Sequence, residues 1–141
     1  CRANYCGNYN KSWMCPPHVG TLKELKSRYT AYRYAFVFTT RHEVEDSFDI
    51  EGMFAARLVH DEVEDLIRPC LPENARVLGA GGCNVCKKCA YPEPCRFPEK
   101  AKSSVEACGI NVVSLAKTAK INYTNGENTV TYFSVVFLNC K

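Results

Sequence analysis

The chain has 141 residues, ten of them cysteine, with 46% hydrophobic and 11% aromatic residues and a net charge of +3. That composition excludes disorder, no apolar run approaches the roughly 18 residues of a membrane span, and so small a charge makes no case for a nucleic-acid partner. A chain this long buries enough surface to fold without covalent staples, so the cysteines need another explanation.

The chain opens at Cys1 without an initiator methionine, so further residues are expected upstream. Residues 1–18 read as a cysteine-rich loop ending in Pro16-Pro17. Thr21 suits the cap of a short helix carrying Leu22, Leu25, Tyr29 and Tyr32 on one face. Tyr34–Thr39 is a continuous apolar, aromatic and β-branched run, expected as a buried strand. A long helix is expected over roughly residues 43–69, with Ile50, Phe54, Leu58, Val59, Val63, Leu66 and Ile67 as its apolar stripe and Pro69 and Pro72 closing it. Ala75–Ala80 reads as a short strand running into Gly81-Gly82-Cys83.

A cysteine loop then occupies residues 83–98, punctuated by Pro92, Pro94 and Pro98. Ser103-Ser-Val-Glu106 matches a capping box, predicting a short helix that Gly109 stops. Asn111 can cap another helix with Val112, Leu115, Ala116 and Ala119. The tail reads as a hairpin: Ile121–Thr124, a turn at Asn125-Gly126, then Thr129–Leu138. This order predicts one α/β-type (α+β) domain over residues 1–141, a small mixed sheet with helices packed on it and two cysteine-rich loops.

Charge is segregated along the chain. Residues 43–65 hold nine Asp/Glu against one Arg, whereas the segments on either side are basic. A solvated helix face is the plain reading, and an acidic docking surface for a basic partner the alternative. His42 and His60 read as ordinary helix-start and helix-face residues.

The cysteines carry the chemistry. Cys83-Asn-Val-Cys86-Lys-Lys-Cys89 is C-x2-C-x2-C, with Cys95 after five further residues. Three thiolates at that spacing on an irregular loop can wrap three corners of a cubane, and a fourth cysteine beside a proline completes it, as in the bacterial ferredoxin run. The longer last gap, and Pro94 preceding Cys95, depart from that run. Zinc is the alternative, although structural zinc favours two cysteine pairs on separate knuckles. Disulfides between such close neighbours would close very small, strained rings.

Cys1, Cys6 and Cys15-Pro16 form a second set that leaves a cubane one ligand short. Cys95, Cys70, Cys108, Cys140, His18 or a residue upstream could complete it, or one iron could stay open to substrate. Cys70 and Cys108 otherwise read as buried small hydrophobes. Gly79-Ala-Gly-Gly82 lacks phosphate-loop spacing and instead lets backbone come close to the cysteine loop. Lys87, Lys88 and Arg96 would offset the negative charge of a thiolate-ligated cluster. No catalytic triad, HExxH or nucleophile-elbow pattern occurs in the sequence.

The Cys-x4-Cys opening with Trp13-Met14-Cys15-Pro16-Pro17, the run from Gly81 through Cys95-Arg96 to Pro98, Ser104-Val-Glu-Ala107 and Val130–Val136 together resemble the domain-of-unknown-function family of predicted metal-binding proteins. That resemblance implies an iron–sulfur protein of anaerobic bacteria and archaea, with Cys1, Cys6, Cys15, Cys83, Cys86, Cys89 and Cys95 as its ligands. The resulting expectation is a cytoplasmic protein holding one or two [4Fe–4S] clusters and passing electrons to a redox partner protein. A zinc-stapled interaction module and an enzyme with an open cluster iron are the alternatives.

Overall fold

In the computed structural model, which describes residues 1–139, the first helix is fixed locally. Thr21 Oγ1 accepts the Glu24 N–H at 3.3 Å and Glu24 Oε2 accepts the Thr21 N–H at 2.8 Å, so a capping box starts α1, Leu22–Thr30. Leu25 is the fully buried member of its apolar face; Leu22 stands in solvent. Tyr29 and Tyr32 reach Phe137, with ring centroids 4.8 and 5.8 Å away.

The fold is α+β, built on a three-stranded antiparallel sheet of order β1-β3-β2. β1, Tyr34–Glu43, pairs with β3, Thr129–Leu138, over its whole length, Tyr34 opposite Leu138 and Glu43 opposite Thr129. β2, Arg76–Leu78, takes the other edge of β3, Val77 opposite Val136. The central strand is thus β3, where Phe133 to Phe137 are all buried. β1 is longer than the sequence suggests and is an edge strand with no fully buried residue, not the buried strand expected there.

The expected C-terminal hairpin does not form. β2 covers only Val135–Phe137 on its edge of β3, yet Ile121–Thr124 does not pair along the rest of that edge and forms a loop. Asn125 still braces that loop, donating from Nδ2 to Thr131 Oγ1 at 2.8 Å. Helix α3, Val112–Ala119, is capped by Asn111 as expected, with its Oδ1 accepting the Ser114 N–H at 2.9 Å. Residues 103–109 make hydrogen-bonded turns in place of a helix: Ser104 Oγ accepts the Ala107 N–H at 3.0 Å, and Gly109 at φ +81° turns the chain away.

Alternation along β3 divides the protein into two layers. On one side Phe133, Val135 and Phe137 join Leu25, Leu78, Val105, Cys108, Val112 and Ala116 in the hydrophobic core under α1 and α3. On the other side Tyr132 and Ser134 face α2, Ile50–Ile67. This helix starts later than residue 43 because Arg41–Glu43 belong to β1; Asp49 caps it, accepting the Gly52 N–H at 2.8 Å. A 3-10 turn, Arg68–Cys70, follows it.

The setting of α2 is opposite to its sequence pattern. Ala56, His60, Asp61 and Glu64 are its buried residues, whereas Ile50, Phe54, Leu58, Val59 and Leu66 are exposed. The expected solvated face is therefore partly the buried one. The reason is the surface it meets: Thr40, Tyr132 and Ser134 present hydroxyls, and these are matched by polar groups of the helix. His60 is not an ordinary helix-face residue but has no exposed surface at all, and His42 lies on β1 rather than at a helix start.

Candidate metal centre

The cysteine loop is pinched at its base. Gly79 forms a parallel bridge with Ser104, its N–H donating to Ser103 O and its carbonyl accepting from Val105 N, both at 3.0 Å. Residues 80–102 therefore leave and return at one place beside β2. Two contacts then hold the loop against α2: Arg57 Nη2 donates to Gly82 O and Asn84 Nδ2 to Asp61 Oδ2, each at 2.6 Å. The glycines permit this closeness, since a Cβ at Gly79 would collide with the Glu64 carboxylate and one at Gly81, where φ is +67°, with the Arg57 guanidinium.

The N-terminal segment is fastened to the same loop. Trp13 Nε1 donates to Glu93 O at 2.8 Å. The Trp13 ring lies 5.2 Å from Tyr91, and the His18 ring 4.4 Å from Tyr91, centroid to centroid. His18 Nε2 also bonds Asn10 Oδ1 at 2.8 Å. This aromatic clasp brings two cysteine segments, some seventy residues apart in sequence, onto one end of the molecule.

Two cavities result. Cys83, Cys86, Cys89 and Cys95 line a tight one of about 20 Å³, closed by Ser12, Trp13 and Met14. Cys1, Cys6 and Cys15 line a second of about 310 Å³, together with Gly81, Gly82 and Glu106. Among the described residues, no fourth cysteine and no histidine lines this second cavity. Lys87 and Lys88 line a pocket adjoining Cys83, Cys86 and Cys89, so cationic side chains do stand beside the thiols. Arg96 is turned to the backbone, its Nη2 donating to Lys88 O at 2.6 Å.

The thiols differ in ionisation. Burial works to raise Cys89, but hydrogen bonds from the backbone N–H groups of Tyr91, Trp13 and Ala90 and from the Ser12 hydroxyl outweigh it, leaving the pKa lowered. Cys15 goes the other way: burial raises it, the Ser12 hydroxyl lowers it, and the neighbouring sulfurs of Cys6, Cys83 and Cys89 raise it again. Cys15 is thus within electrostatic reach of both sets. A lowered thiol gives the thiolate that a metal requires.

The remaining cysteines are not gathered here. Cys108 is buried in the core with its Sγ 3.4 Å from Tyr29 Oη, and burial pushes its thiol up. Cys70, expected to be buried, is exposed after α2. Cys140 lies outside the described residues. All nine described cysteines are free thiols. Among the described residues, no three His, Cys, Asp or Glu side chains are drawn tightly around one point.

Behind the loop lies a polar chain the sequence did not reveal. Its hydrogen bonds form a consistent series in which His42 Nε2 donates to Thr40 Oγ1, Thr40 donates to His60 Nδ1, His60 Nε2 donates to Ser134 Oγ, and Ser134 donates to Glu64 Oε1. The other carboxylate oxygen of Glu64 faces Arg68 Nη2 at 3.6 Å. Burial pushes His60 down to about 4, against the attraction of Asp61, so its ring is neutral near pH 7. Glu64 backs directly onto Gly79, the base of the cysteine loop.

Four thiols on one cavity wall are a donor set that a thiolate-ligated metal, whether zinc or an iron–sulfur cluster, can take. The three-thiol cavity fits the same chemistry with one position unfilled by cysteine. The family described as predicted metal-binding protein (DUF2284) matches residues 1–138, and the chain belongs to this family. No curated protein and no solved structure matches the chain.

Proposed function

We propose that this metal-binding protein holds one or two [4Fe–4S] clusters and serves in electron transfer to a partner enzyme in the cytoplasm, where thiols stay reduced. The observation that carries the reading is the common cavity of Cys83, Cys86, Cys89 and Cys95. Cys1, Cys6 and Cys15 would hold the second cluster. A cluster bound there supplies one-electron redox chemistry at little structural cost. The chain's own part is to gather thiolates, surround them with N–H and hydroxyl donors, and place Lys87 and Lys88 where they offset negative charge.

Anaerobically purified protein is expected to be brown, to absorb broadly near 400 nm, and to contain about four irons and four sulfides per cluster. Colourless protein with stoichiometric zinc would overturn the reading in favour of a zinc-stapled module.

One observation favours a second reading for the N-terminal set. No fourth cysteine or histidine lines the Cys1–Cys6–Cys15 cavity among the described residues, and that cavity has room beyond the thiols. An iron held there by three cysteines has an open position for a small molecule, which would make the protein an enzyme. A ligand-dependent change in the EPR spectrum of the reduced protein supports this reading, and a fully cysteine-ligated second cluster removes it.

A further inference from the structure

β1 is an outer strand of the sheet, and its free edge is unguarded. All ten of its residues pair with β3 on one side, while the other side has no partner among the described residues. Edge strands are normally blunted by short length, proline, a bulge or charge. β1 is long, its register with β3 is unbroken, and Tyr34–Thr40 contains neither proline nor a charged residue.

An apolar surface lies beside this edge. Thr40 Oγ1 is 2.8 Å from His60 Nδ1 and the Phe38 ring 5.6 Å from the His60 ring, so the even-numbered residues of β1 face α2. Phe36 shares that face and stacks on Phe38 at 6.1 Å, yet it is 56% exposed. Each residue of a helix turns by about 100° from the last. With His60 on the sheet, Arg57 and Asp61 therefore fall on one flank of α2, and Val59 and Val63 on the other. Arg57 and Asp61 hold the cysteine loop, which lies beyond β2, so the Val59 flank is turned toward the free edge of β1. Val59 is 47% exposed there.

We propose that a second copy of this chain covers this surface, its β1 pairing antiparallel with this one about a two-fold axis through Phe38. The charges along the strand favour a copy as the occupant. With the axis at Phe38, Arg33 stands opposite the partner's Glu43 at both ends of the ladder. Both residues are exposed, and Glu43 has only a 3.7 Å contact with Arg41 in its own strand. Sliding the pairing two residues one way sets Arg33 against Arg41, and sliding it the other way leaves Arg33 and Tyr34 outside the ladder. The two three-stranded sheets become one sheet, with both α2 helices on one face and their Val59 flanks approaching over Phe36 and Phe38. The cysteine loops stand at the two outer ends, so this pairing is independent of any metal they hold.

Sedimentation equilibrium of the chain in reducing buffer, over a wide range of concentration, tests this. The expected mass is twice the 15.9 kDa of one chain. Phe36→Asp and Val59→Lys, each at an exposed position, should give monomers with unchanged far-UV circular dichroism, and the second holds the test if the first fails to fold. Glu43→Arg sets like charges opposite each other at both ends of the ladder and should weaken dimerisation about tenfold. Adding Arg33→Glu to Glu43→Arg should restore it, which non-specific association would not do. A wild-type monomer at every concentration, a folded Phe36→Asp or Val59→Lys protein that stays dimeric, or a charge exchange that restores nothing overturns the proposal. Open-ended oligomers in place of a closed dimer overturn it as well.

Discussion

His60 Nε2 lies 2.7 Å from Ser134 Oγ in the middle of the protein, and neither residue has any exposed surface. The bond joins α2 to the central strand through a neutral imidazole, and this has a consequence for acid stability. The folded state holds His60 at about 4, whereas the unfolded chain holds it near 6.5. Stability from this group is therefore complete above about pH 6.5 and declines as pH falls toward 4, because the unfolded chain takes up the proton first. The loss is about 1.4 kcal/mol per pH unit and about 3 kcal/mol in all. Urea unfolding at pH 7.5, 6 and 5 measures it, and His60→Gln is expected to flatten this part of the pH dependence.

Gly79 and Glu64 should behave as one unit. Gly79→Ala places a methyl against the buried carboxylate and is expected to cost about 1–3 kcal/mol. In a Glu64→Ala background the same substitution should cost much less. A double-mutant cycle in chemical denaturation reads the coupling; additive effects would mean that the loop base does not rest on Glu64.

The setting of α2 predicts a reversal of the usual hydrophobic scan. Leu25→Ala in α1 is expected to cost about 2–5 kcal/mol, as for a fully buried leucine. Leu66→Ala and Phe54→Ser in the apolar stripe of α2 should stay within about 0.5 kcal/mol, because both side chains already face water. Thermal unfolding of the three variants decides between this setting and one with the stripe turned inward.

Metal content should follow the cavities rather than the cysteine count. On the proposed iron–sulfur reading, Cys86→Ala is expected to remove iron from the four-cysteine set, and Cys6→Ala from the three-cysteine set. Cys70→Ala should leave iron unchanged. Cys108→Ser should also keep iron, yet lower stability by about 1–3 kcal/mol through a polar group in the core beside Tyr29. Iron analysis and unfolding on the same four proteins separate the two effects.

Stripping the metal anaerobically with a chelator should leave a cooperative unfolding transition, since none of the seven cavity cysteines belongs to the hydrophobic core under α1 and α3. Retained far-UV circular dichroism with a lowered Tm is the expected result. Complete loss of the transition would instead mark folding that depends on metal.

What the sequence disclosed follows the range of the forces involved. Thr21 with Glu24, and Asn111, act within a single helical turn, so α1 and α3 were legible from a few residues. The cysteine spacings separate a group of four from a group of three, and the two cavities are lined in those same groups. The setting of α2 was not legible, because its polar residues are matched by Thr40, Tyr132 and Ser134 on strands distant in sequence. The false hairpin shows the limit of a local signal: Asn125-Gly126 is a good turn sequence, but β3 takes its long partner from β1, far earlier in the chain. Trp13, the single tryptophan, belongs to the Cys15-Pro16 motif in sequence, whereas its clasp on Glu93 and Tyr91 exists only in the fold.

The bridge between Gly79 and Ser104 makes the cysteine loop an inset rather than a link. Because the chain enters and leaves at one point, the contour length between those residues can change without moving β2 or the turn that follows. Closing a loop depends only weakly on its length, so this stretch can be lengthened, shortened or exchanged as a cassette while the sheet keeps its register.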